Sequence, residues 1–167
     1  MSTNDALSRF DHLAAVDPAE LGGRWCGSGL HTGHRLDGLL ERFGWYGKEF
    51  QSSEAVYPLL FKDSKDRIHS VDPVRLPLGL VLREPALARS GPALGIFSTL
   101  LPLLRTRNPT ARLREITCRG IPSAAIVYDR IPVIDHLRRI DDARILGLMD
   151  LRSMPHPLFF LLSRDRD

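Results

Sequence analysis

Cysteine is scarce in this sequence: Cys26 and Cys118 are the only two in 167 residues. Two cysteines do not make the disulfide framework of a small secreted domain, and the polar stretch Met1–Phe10 lacks the apolar core of a signal peptide. A cytoplasmic location is the expectation. Long hydrophobic runs are missing as well. The apolar stretch Gly95–Leu104 (GIFSTLLPLL) falls short of the ~18 residues a spanning helix needs and contains Pro102, so stable membrane insertion is not expected and only peripheral contact stays open. No sustained block of one charge occurs. The net charge is +3, with 26% charged residues and the Lys and Arg dispersed among acids, which argues against a nucleic-acid surface. The six histidines show no H-x-x-x-H spacing and the cysteines no C-x-x-C, so no metal site is expected. There is no G-x-G-x-x-G before a helix, no G-x-x-x-x-G-K-[ST] and no G-x-S-x-G. Nucleotide binding, serine hydrolysis and a cofactor therefore have no support.

What is present is a pattern of short segments. A chain of this length fits one domain with one core. Asp5–Val16 spaces Leu7, Phe10, Leu13 and Ala14 as the stripe of an amphipathic helix, which assigns residues 1–20 to an N-terminal helix and 21–167 to the domain proper. Leu21–Leu30 reads as a first strand and Asp37–Phe43 as a short helix. Trp45–Phe61 reads as strands broken at Gln51–Ser53, with Pro58 at an edge or bulge because it has no N–H for a ladder. Residues 21–83 form the first part and 84–110 a loop or helix insertion, with one apolar helix around Ile96–Arg105. Within the insertion, Gly95–Leu104 is expected to be a mobile portal or partner-contact segment. In 111–167, five apolar runs (Ala111–Cys118, Ile121–Tyr128, Ile131–Arg138, Ala143–Leu151, Leu158–Ser163) alternate with turn signals such as Arg119-Gly120 and Ser153-Met154-Pro155. Turns at ~8–12-residue intervals predict an antiparallel meander, and a meander hides its edges by closing into a barrel.

The motifs carry a resemblance. Gly23-x-Trp25-x-Gly27, Thr32-Gly33-His34, Gly44-Trp45-Tyr46-Gly47-Lys48 and Val56-Tyr57-Pro58-Leu59 resemble the family named GXWXG after its motif. The tail resembles the companion domain of unknown function that follows it, through Arg119-Gly120, Tyr128-Asp129, Pro132–His136, Asp141-Asp142 and Gly147–Asp150. The resemblance implies a mainly β protein, a single closed antiparallel barrel of calycin (lipocalin-like) type with an N-terminal helix and short lid helices. Lipocalins, fatty-acid-binding proteins and nitrobindins are distantly similar. It also implies that Trp25, flanked by Gly23 and Gly27, is a structural plug at the closed end of the barrel.

A closed sheet of ~8–10 strands can hold a small ligand. Non-enzymatic binding of an apolar or amphipathic small molecule, such as a fatty acid or lipid, by a monomer or homodimer is thus the expected function. Trp45 and Tyr46 point to opposite faces of one strand, so one lines the interior whatever the register. Lys48, His34, Arg119, Tyr128 and Met149 join them as candidate ligand contacts, although His34 and Arg119 also read as turn residues. On the strand around Val133, adjacent residues face opposite ways, and a neutral imidazole costs less to bury than a charged carboxylate. His136 is therefore expected to face the ligand and Asp135 the outside. Two alternatives remain open: a nitrobindin-like barrel binding haem through a histidine, and an enzyme in which His136 works with Asp135 or Asp150 as acid and base.

Overall fold

Turn chemistry decides the topology. Arg119 and Gly120 both adopt positive φ (50° and 81°), the pairing that a two-residue hairpin turn requires, and they join β5 (Ala111–Cys118) to β6 (Ile121–Tyr128) in continuous register. The computed structural model describes residues 1–152 and 154–165. Ser153 of the expected Ser153-Met154-Pro155 turn, and residues 166–167, lie outside these.

The other strands are β1 (Gly23–Gly29), β2 (Trp45–Ser52), β3 (Ala55–Lys62), β4 (Ile68–Ser70), β7 (Val133–Asp141), β8 (Arg144–Leu151) and β9 (Leu158–Arg164). They form one antiparallel sheet in the order β2-β1-β9-β8-β7-β6-β5-β3-β4, and β2 also pairs with β3, which closes the ring. The outer side of β3 is shared: Leu60–Lys62 pair with β4 and Val56 with Ala111 of β5. This is the mainly β barrel expected from the meander.

Among the described residues five α-helices decorate it: α1 (Thr3–His12), α2 (Leu39–Arg42), α3 (Leu78–Arg83), α4 (Pro85–Arg89) and α5 (Gly91–Leu104). Ser2 and Asp5 close a reciprocal cap at the start of α1. Two expectations are corrected here. The stretch Ile68–Arg83 keeps only three residues of strand before Pro73 and Pro77 break it into a 3-10 turn and α3, so the helical excursion starts at Leu78 and not at Glu84. The single helix expected around Ile96–Arg105 is preceded by two short ones, and α5 tolerates Pro102 within its last turn.

Alternation along each strand produces two cores. Inward residues such as Trp25, Phe50, Phe61, Ile126, Leu137 and Leu162 fill the barrel. Outward Leu146, Leu148 and Phe159 are covered by Ala6 and Phe10 of α1, with the Phe10 and Phe159 rings edge to face at 6.4 Å. Arg138, fully buried on this outer side, lays its guanidinium 4.7 Å from the Phe10 ring and donates to the Cys118 carbonyl at 2.8 Å. Trp25 is buried in the interior, and the Arg164 guanidinium covers its ring at 4.4 Å while donating to the carbonyls of Glu20 and Gly22. Gly23 enters β1 at φ +83°, in the left-handed region. Gly27 has another reason to lack a side chain, since a Cβ there would lie 2.4 Å from the Trp45 ring.

Candidate functional site

The β2 segment WYGKEF carries the site because it breaks strand parity. Its pairing with β3 shifts register on both sides of Gly47, between Trp45↔Phe61 and Gly47↔Leu60 and again before Glu49↔Tyr57. Such a bulge adds one residue and switches the faces of those beyond it. Trp45, Lys48 and Phe50 are consequently all buried, while Tyr46 and Glu49 are half-buried. A lysine that strict alternation puts beside Tyr46 enters the barrel instead. Pro58, expected at an edge or bulge, lies opposite this irregularity.

Inside, Lys48 is 2% exposed and uses its ammonium fully. Its Nζ donates to Asp135 Oδ2 at 2.8 Å, to the Pro58 carbonyl at 3.1 Å and to the Tyr128 hydroxyl at 3.2 Å. The Tyr128 hydroxyl in turn donates to Asp135 Oδ2 at 3.1 Å. Burial, reinforced by the neighbouring Asp135 carboxylate, pushes the Tyr128 phenol well above its ordinary pKa, so it keeps its proton. Aromatic faces complete the setting: Nζ lies 4.8 Å from the Phe160 ring centroid and 5.7 Å from those of Trp45 and Tyr128. Two polar atoms of this group are left over. Asp135 Oδ1 and the Trp45 indole N–H have no hydrogen-bond partner among the described residues.

These groups form one wall of a cavity of about 110 Å³. The rest of the wall is apolar, with Leu59 of β3, Val133 of β7, Met149 and Leu151 of β8, and Leu158 of β9. The roof comes from outside the barrel. Leu36, Leu39 and Leu40, in and before α2, face the same cavity as Leu76 of the turn leading into α3 and Leu78 and Val81 of α3 itself. Exposed arginines clamp the two roof pieces through carbonyls: Arg35 donates to Leu82 and Arg83, Arg89 to Arg35 and Asp37, and Arg42 to Ser90. α5 adds nothing to the lining. Its Phe97 packs against Phe43 and Phe61, and Ile96 and Leu103 stay exposed at 58% and 69%.

Of the candidate contacts, Trp45, Lys48, Tyr128 and Met149 meet at the cavity. Tyr46 does not; it faces out, donates to Asp165 and stacks under Lys62. His34 belongs to the roof loop, where Asp37 Oδ2 accepts the amides of Thr32, Gly33 and His34 at 2.8–2.9 Å, and His34 Nδ1 accepts the amide of Leu36 at 3.2 Å. Arg119 is not among the residues lining the cavity and binds Asp11 of α1 at 2.7 Å. The orientation expected of Asp135 and His136 is reversed. Asp135 lines the cavity, whereas His136 pairs with Ala125 and Leu148 and lies buried on the outer side. The charged carboxylate is buried in place of the imidazole because the Lys48 ammonium, 2.8 Å away, compensates its desolvation. With His136 outside and Asp135 inside, these two do not share a face; Asp150, the other partner considered for His136, lies with it on the outer side, away from the cavity, and no histidine stands among the lining residues. The described residues contain no group of three or more potential metal ligands.

Comparison with known proteins gives family and fold. Residues 8–66 match the family model described as GXWXG protein, and residues 109–164 match the Domain of unknown function (DUF4334); α3, α4 and α5 lie between the two matches. No curated protein matches the chain. A crystal structure of a protein from Thermomonospora curvata is similar over 99% of this chain and 89% of that one, at 31% identity and a TM-score of 0.74.

Proposed function

The chain belongs to the GXWXG protein family, and from its interior we propose that it binds an apolar or amphipathic small molecule inside the barrel, without catalysis. The observation that carries this reading is an apolar cavity with a single polar wall, Lys48, Tyr128 and Asp135, already hydrogen-bonded into place. Ligand sites are built in this way, with mostly apolar lining and a few fixed polar groups. Size narrows the reading. At about 110 Å³ the cavity is comparable with the ~150 Å³ engineered cavity that takes benzene, so it suits one ring or a short chain. A fatty acid or other long lipid requires α2 and α3 to move aside. A cytoplasmic location belongs to the same proposal and is supported by Cys26 and Cys118 both being free.

Methyl-detected NMR of the full chain titrated with toluene tests the reading. The expected result is saturable shifts of the Leu39, Val81, Val133 and Leu151 methyls, with those of Leu146 and Leu148 under α1 unmoved. Shifts spread evenly over the surface, or none at the cavity, would overturn it.

A further inference from the structure

Resting on that reading, we infer that the ligand is neutral and carries a hydrogen-bond donor, as an alcohol or phenol does, and that Asp135 Oδ1 is the atom that receives it. The polar wall is a closed account on every side but one. All three Lys48 protons are directed to Asp135, Pro58 and Tyr128, and the Tyr128 proton goes to Asp135. Neither Lys48 nor Tyr128 has a donor left to recognise an anion, and the one donor still free on this wall, the Trp45 indole N–H, carries no charge. Lys48 and Asp135 also cancel in charge, being in contact at 2.8 Å with side chains 3% and 1% exposed. A carboxylate brought beside them adds an unpaired negative charge next to Asp135 in a site with little water to screen it.

What the wall does offer is an acceptor. Asp135 is 1% exposed, lines the cavity, and keeps Oδ1 free of any partner among the described residues. A buried carboxylate oxygen left unbonded is costly, and a donor that satisfies it gains a charge-assisted hydrogen bond. The Trp45 indole N–H, unpartnered on the same lining, supplies a donor for the same ligand. A hydroxyl is the group that both donates and accepts. The geometry thus separates this cavity from a fatty-acid site, whose ligand is an anion.

Phenol, toluene and benzoate, titrated into the full chain by the same methyl NMR, test the assignment. Phenol should bind about tenfold more tightly than toluene, the gain for one hydrogen bond to a charged group, and benzoate more weakly than either. In the triple variant Lys48→Met, Tyr128→Phe, Asp135→Leu, whose fold is checked by its NMR spectrum, phenol should lose its advantage over toluene. Equal affinity of phenol and toluene for the wild type, or tightest binding of benzoate, overturns the donor assignment while leaving the cavity reading intact. Failure of all three to reach the cavity overturns both.

Discussion

Asp135 shows how much one side chain's energetics depend on its partner. The carboxylate is buried in an apolar interior because Lys48 reaches it across the barrel, from a residue 87 positions away in sequence. Removing the lysine alone leaves an uncompensated charge, whereas replacing both members by apolar groups removes the problem. Lys48→Met is therefore expected to lose about 3–5 kcal/mol of stability, and the double variant Lys48→Met, Asp135→Leu to recover most of it. Denaturant melts compare the three proteins; a single variant as stable as the wild type would show that the pair is not what holds Asp135 inside. The orientation was legible in the sequence. Val133, Asp135 and Leu137 share one face and Ile134, His136 and Arg138 the other, so the face with two aliphatic residues around one charge is the inner one, and the face with two basic residues is the outer. Nothing in the sequence indicated the identity of the partner, because the Lys48–Asp135 contact is created by closure of the ring.

At the scale of the element, β2 is the part that departs from simple rules. Four of the five C-terminal runs could be read to within a residue, since turns such as Arg119-Gly120 are local chemistry and each run buries one face; the run Ile131–Arg138 is displaced from the strand Val133–Asp141. In β2 the bulge at Gly47 puts Trp45 and Lys48, three positions apart, on the same side, which no alternation pattern predicts. Two of the helices between 78 and 104, α3 and α4, were hidden for a different reason. Each of α3 and α4 is about one turn or slightly more, bounded by Pro77 and Pro85, too short for helical periodicity to register. The tight approach of β1 and β2 provides a prediction. In Gly27→Ala the new methyl would lie 2.4 Å from the Trp45 ring, a ring that is itself held edge to face by Phe160 at 6.0 Å. A loss of about 1–3 kcal/mol is expected, as for other overpacked interiors, with Trp45→Phe relieving part of it in the double variant. Urea midpoints of the two single variants and the double test this: additive losses would mean that the methyl and the indole do not compete for the same space.

Over the whole molecule, the sheet separates a cavity side from a clasp side. The interior holds the cavity and its ion pair, and the outer face of β6, β7 and β8 holds His136 and Arg138 near α1, with Arg119 and Asp11 joined above them. His136 is 7% exposed and its Nδ1 has no partner among the described residues. Burial lowers its pKa; Asp150 and Asp135 oppose that shift and Arg138 adds to it. His34 in the roof loop is lowered by burial too, against the pull of Asp37. In both cases the unfolded chain, with a histidine pKa near 6.5, takes up the proton before the folded one does. Stability is therefore fully present above about pH 6.5 and falls as the pH drops from there toward the lowered folded values. The paired carboxylates Asp11, Glu54 and Asp141, whose pKa values are lowered by hydrogen bonds to arginines, withdraw their contribution only at more acidic pH, below about 4. The unfolding midpoint should accordingly be flat from pH 8 to about 7, decline through the histidine window and decline again in the carboxylate window. His136→Leu should flatten the first decline in part, His34 accounting for what is left, and should leave the second unchanged. Thermal melts of wild type and variant at half-unit pH intervals decide this: a variant whose profile keeps the full decline between pH 6.5 and 5 would remove His136 as its source and place the titrating group elsewhere.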